Sequence, residues 1–189
     1  MARRSRLGAP GISAARRGSH VTLLQATSIP TLLERHGVVV PAPHRRDDAT
    51  VWDLELDGER RRALRLSLIH DSRPGGVVVV WAHLAPPLGD GLRKAYRRLL
   101  EWNDKYLFAK FGIAEDGRPV LSIELRAEQA TESDLVEALA RTVLIADRLL
   151  DETAAWIWIG GRIPADDGSP RRNQALLRAV PDLADRLEG

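Results

Sequence analysis

The sequence predicts an α+β fold: an antiparallel sheet of about five strands with flanking helices, in the order α-βββ-α-ββ-α. Three observations carry that expectation. Segments 50–56, 63–70 and 77–84 are apolar or alternate apolar with polar, and they follow one another across short turn-rich breaks, as a meander does. A second strand pair, 107–114 and 120–125, brackets Asp116 and Gly117, a dipeptide that supplies the positive φ of a tight turn. Helix-like segments stand at 90–103 and 132–155, never between parallel strands, so a doubly wound sheet is excluded. With 189 residues, 44% of them hydrophobic, the chain suits one core rather than two.

Taken in order, residues 1–20 hold Arg3, Arg4, Arg6, Arg16 and Arg17, no acid and no apolar period, and read as a disordered basic leader. The domain proper is expected over 21–161. Residues 28–37 form a short helix, with Ser28 able to cap it, Pro30 in its first turn and Gly37 to end it. In strand 50–56, Trp52, Leu54 and Leu56 share one face; in strand 63–70, Leu64, Leu66 and Leu68 do. Strand 77–84 is apolar almost throughout, which predicts cover on both faces and puts Trp81 in the core; a six-residue loop at 71–76 would set His70 opposite Val77.

The helix begun by Asp90 presents Leu92, Tyr96, Leu99 and Asn103 on one side. Thr131 and Asp134 have the spacing of a capping box and open a long helix with Leu135, Leu139, Val143, Ala146 and Leu150 as its core stripe. Residues 162–189 read as a linker and a short C-terminal helix broken at Pro181.

Composition excludes several function classes. No cysteine occurs, so disulfides, thiol catalysis and Cys-based zinc sites are ruled out. No apolar run approaches the ~20 residues of a membrane helix, and a cytoplasmic setting is expected. The chain carries 28 basic and 26 acidic side chains; without the five leader arginines it has 23 against 26, a net charge of −3. That balance argues against nucleic acid as a partner. No nucleophile elbow, phosphate loop or metal-ligand spacing is present, so no catalytic residue, metal or cofactor is expected. Asp147 and Asp151 lie four apart on one helix face, but their arginine-rich surroundings suit a solvated face better than acid/base work.

The helix stretch Arg97 to Asp104, the hairpin stretch Phe108 to Gly117, the strand Val120 to Leu125 and the helix Thr131 to Leu150 together resemble the YbjN-type family of bacterial proteins and, more broadly, the type III secretion chaperone-like fold. The resemblance implies a sensory-transduction or peptide-binding role, dimerisation, and capture of extended polypeptide on apolar surface. It carries no catalytic residues.

The expected function is therefore a non-enzymatic binding module, dimeric, holding a polypeptide partner. The alternatives are a small-molecule-binding regulator on the same fold, or an enzyme with a dispersed site. An open apolar groove beside a free sheet edge would favour the first; a pocket with convergent polar groups would favour the others. Candidate partner-binding residues are Trp156, Ile157, Trp158 and Ile159, four bulky neighbours that no single face can bury, together with Trp102. Arg93, Lys94, Arg97 and Arg98 are candidates for an anion. No aromatics interleave with them, so a single-strand nucleic-acid platform is unsupported.

Overall fold

The computed structural model describes residues 22–89 and 92–187; the leader expectation for 1–20 lies outside these. Six strands form one antiparallel sheet: β1 (His44–Arg46), β2 (Ala49–Leu56), β3 (Leu64–Asp71), β4 (Val77–His83), β5 (Lys110–Ile113) and β6 (Pro119–Arg126). Their spatial order is β1-β2-β3-β4-β6-β5. The helices are α1 (Ile29–Arg35), α2 (Leu92–Lys105), α3 (Glu132–Arg148), α4 (Leu150–Ile157), α5 (Gln174–Arg178) and α6 (Leu183–Arg186). The α+β class and element order stand as expected, with one strand more than anticipated. That strand, β1, is three exposed residues, His44, Arg45 and Arg46, preceded by Pro41 and Pro43. It has no apolar alternation to betray it, and the prolines stop it growing.

Period-2 alternation assigns each strand residue to a face. Trp52, Leu54, Leu56, Leu64, Leu66, Leu68, Val78, Val80, Ala82, Leu121 and Ile123 are buried on the inner face. Each such side chain contributes about 1.5–3 kcal/mol by leaving water. Helix α3 lies over β4 and β6, α2 packs on β5, and α5 and α6 pack on α3. Thr131 caps α3 reciprocally: its hydroxyl accepts from Asp134 N–H at 3.1 Å, and its N–H donates to the Asp134 carboxylate at 2.9 Å.

Four expectations are corrected. Strand β4 is buried on one face only; Val77, Val79, Trp81 and His83 are half-buried on the outer face, so Trp81 is not core. An all-apolar strand carries no phase, and the helices cover just one side. His70 pairs with Val78, not Val77. Antiparallel partners share a face, so Leu68 must oppose an inner residue, here Val80, and a one-residue slip would mix the faces. In α2 the buried stripe is Ala95, Leu99, Trp102 and continues to Tyr106; Tyr96 and Asn103 are exposed. The long helix ends at Arg148 and restarts at Leu150. At the break, the Thr153 hydroxyl donates to Leu149 O at 2.8 Å, a back-bond that bends helices.

The C-terminal segment is sewn to the sheet. Leu176 and Leu183 are fully buried in the common core. Asn173, in a left-handed conformation, accepts from Asp57 N–H at 2.9 Å and donates to Asp57 O at 3.1 Å, standing in for a strand neighbour. The buried Asp57 carboxylate accepts from Arg172 Nη2 at 3.1 Å, Arg172 N–H at 2.9 Å and Ala63 N–H at 2.9 Å. Burial opposes its ionisation, but the Arg172 hydrogen bond and the two backbone donors outweigh this and hold its pKa down at about 2.

Candidate functional site

An open concavity with an apolar wall lies where α2 gives way to β5. Asn103 sets the start of β5: its side-chain amide donates to Phe111 O at 3.0 Å and accepts from Phe111 N–H at 2.8 Å. Between them the chain turns through Phe108, which holds a φ of 62°. An aromatic residue in the left-handed region is strained, and the turn swings the chain off the sheet. Strand β5 therefore begins only at Lys110, opposite Ser122. Beyond that point no described strand pairs with β6 on this side. The alternation of the ladder aims the N–H and C=O of Glu124 outward, with no β5 residue opposite.

A groove of about 600 Å³ follows that edge, walled by Phe108, Ile123 and Leu125 on one side and by Ala138 and Arg141 of α3 on the other. Phe108 is 81% exposed and Leu107 is also exposed. Arg141 donates to Glu137 at 2.9 Å, and its guanidinium stands 5.7 Å from the Phe108 ring centroid. Lys110 and Glu124 pair across the mouth at 2.8 Å. Among the groove's described residues no side chains form a nucleophile–base pair.

The residues expected from sequence to meet a partner do not form one surface. Trp102 is buried; its Nε1 donates to Glu152 at 3.3 Å, and its ring packs on Phe111 and Trp156 at centroid distances of 5.4 and 5.5 Å. Trp156, Ile157 and Trp158 are half-buried, and Trp158 lines a second cavity with Ile163 and Pro164 of the C-terminal segment. Ile159 alone of the four stands fully in solvent. On α2, Arg93, Lys94, Arg97 and Arg98 are all exposed. Arg97 and Arg98 donate to Glu101 at 3.0 and 2.9 Å, and these two bonds hold the Glu101 carboxyl below its usual range. Two of the four cations thus already share one carboxylate.

Asp147 and Asp151 are clamps for the β2–β3 connection. Asp147 accepts from the N–H groups of Arg60 and Arg61, at 2.8 and 2.5 Å, and Asp151 pairs with Arg60 at 2.7 Å. Gly58 is required here, because a Cβ at that position would strike the Asp147 carboxylate. Among the described residues no three His, Asp or Glu side chains gather at metal-ligand spacing. No described helix is long and apolar enough to cross a membrane. Phe108, Leu125, Ala138 and Arg141 were not marked by the sequence as site residues. Their only advance signal is the bulky pair Leu107–Phe108 directly after a helix, and nothing in it reveals a left-handed turn.

A half-covered antiparallel sheet of six strands, an aromatic cluster at one corner and an open groove beside β6 define a small α+β domain. The chain belongs to the YbjN family: residues 26–154 match its profile, described as "Putative bacterial sensory transduction regulator". No curated protein matches the sequence. The match ends within α4, so Phe108, Ile123, Leu125, Ala138 and Arg141 of the groove lie inside it, while Arg186 at the groove and the segment holding Leu176 and Leu183 lie beyond it.

Proposed function

We propose that this protein is a non-enzymatic regulator that takes an extended polypeptide along the exposed edge of β6. One observation carries the reading: the left-handed turn at Phe108 stops β5 short, leaving the Glu124 peptide groups unpaired at the mouth of an apolar groove. An added strand satisfies those groups, while alternate side chains enter beside Phe108 and Leu125. Family membership supports a regulatory role; the extended peptide is suggested by the open strand edge beside an apolar wall. The protein works as a homodimer, the state that the sequence resemblance implies.

The test is selection of binders from a random-peptide library displayed on phage. Peptides of micromolar affinity are expected. Their binding should fall at least tenfold in Phe108→Gly, which removes the ring and relieves the turn, and in Glu124→Pro, which removes one outward N–H without touching the β4 ladder. Thermal unfolding should show both variants folded. Failure to select any peptide, or peptides indifferent to both changes in folded protein, overturns the reading.

A further inference from the structure

The outer face of the sheet holds a second concavity, of about 510 Å³, that the edge groove does not use. Strand register builds it in rows. Val51 stands opposite Ile69, and Ile69 opposite Val79; one step along, Asp53 stands opposite Ser67, Ser67 opposite Trp81, and Trp81 opposite Ser122. The floor is therefore apolar, and Trp81 sits between two serines, neither large enough to cover its ring. Among the described residues, α3 packs on the opposite, inner side of β4 and β6.

The polar groups converge from one direction. Ser67 donates to Asp53 Oδ1 at 2.6 Å, which fixes that carboxylate over the floor. Its other oxygen has only His44 Nδ1 at 3.8 Å, and the side chain remains largely exposed. His83 stands one row further along β4, opposite Val120, on the same face as Trp81. Its Nδ1 is buried without a hydrogen-bond partner, and burial, then the Arg118 charge, lowers its pKa, so it stands neutral at pH 7 and does not oppose a cation. Around the rim, Asp47, Asp48, Asp53 and Asp71 face two arginines, Arg46 and Arg73. Arg73 is bound to Asp71 at 2.6 Å. The cavity is thus net negative, with an apolar floor and an open aromatic face.

We infer that this cavity binds a small organic cation, an ammonium or guanidinium on an apolar body, with the charge on Asp53 and the body against Trp81, Ile69 and Val51. Charge balance selects the cation, and the indole face adds attraction for it. The volume is that of a pocket for a small molecule rather than of a protein interface. The inference goes beyond the proposed function, since the peptide edge lies at β6 and needs none of these residues.

Calorimetric titration of the full chain tests it with four probes: 2-phenylethylamine, n-hexylamine and benzamidine as cations, and phenylacetate as the anion of matched size. At least one cation is expected to bind with a Kd below 1 mM, and phenylacetate at least tenfold more weakly. Asp53→Asn and Trp81→Leu should each weaken that cation at least fivefold with an unchanged melting temperature, whereas Phe108→Gly should leave it alone. Equal binding of amine and acid, loss in neither cavity variant, or no cation binding up to 10 mM overturns the inference.

Discussion

At the residue scale, Asp57 is a heavily committed buried carboxylate, with Arg172, Ala63 and Arg62 all directed at it. Its pKa of about 2 in the fold, against 3.8 for the free side chain, fixes the sign of the pH dependence. The stabilisation is complete above about pH 4 and is lost as the pH falls towards 2, worth about 2 kcal/mol in all. Asp57→Asn should therefore cost about 2 kcal/mol in urea unfolding at pH 7, and the gap from the unaltered protein should shrink to under about 1 kcal/mol by pH 2.5 and close only near pH 1. A gap that persists undiminished in acid would mean that shape rather than charge holds the site. Little of this was legible beforehand. Asp57 next to Gly58 reads as a turn, and its partners Arg172 and Asn173 lie more than a hundred residues away in a stretch that looks like a spacer. Long-range polar pairing leaves no local period in a sequence.

At the element scale the sequence spoke more clearly. Trp52, Leu54 and Leu56, and Leu64, Leu66 and Leu68, alternate without interruption, and both strands are where that pattern puts them. The Thr131–Asp134 box marks the start of α3 to the residue. Thr131→Ala removes the acceptor for the Asp134 N–H and should cost about 1 kcal/mol, with the loss of helical circular dichroism confined to the first turn of α3. An unchanged unfolding midpoint would show the cap to be idle. Helix α2 was legible as a helix but not in its orientation. Leu92, Tyr96, Leu99 and Asn103 have the same three-and-four spacing as Ala95, Leu99, Trp102 and Tyr106, and only the packing of Trp102 on Phe111 and Trp156 decides between them. The peptide groove failed to show for a related reason: it exists because one residue, Phe108, takes a conformation that its side chain disfavours.

At the scale of the whole molecule, the core closes only when the C-terminal segment is in place. Leu176 and Leu183 are fully buried, and each would leave a cavity of the kind that costs 2–5 kcal/mol in single large-to-small changes. A chain ended at residue 161 should therefore lose its cooperative urea transition, since a domain of this size has roughly 5–15 kcal/mol to lose. A fragment 1–161 that unfolds sharply, with native hydrogen-exchange protection in β2 to β4, would refute this. The proposed homodimer is tested at the same scale. Tyr96 and Leu100 are exposed four residues apart on α2, and at about 100 μM light scattering should return twice the 20.9 kDa chain mass. Leu100→Glu should return the single-chain mass; a single-chain mass for the unaltered protein would count against the dimer.

The insertion of β6 between β4 and β5 also has a temporal meaning. Translation delivers residues in numerical order, and β4 is finished long before its second neighbour exists: Val78 must wait for Leu125, and His83 for Val120. At roughly 5–20 residues per second the nascent chain spends a few seconds with β4 as a bare margin of the growing meander. That margin starts with four consecutive valines, Val77 to Val80, the composition most prone to pairing with the wrong chain. On the ribosome, then, β4 rather than the finished protein's own edges is the stretch that requires shielding, and the hairpin of β5 and β6 is what finally relieves it.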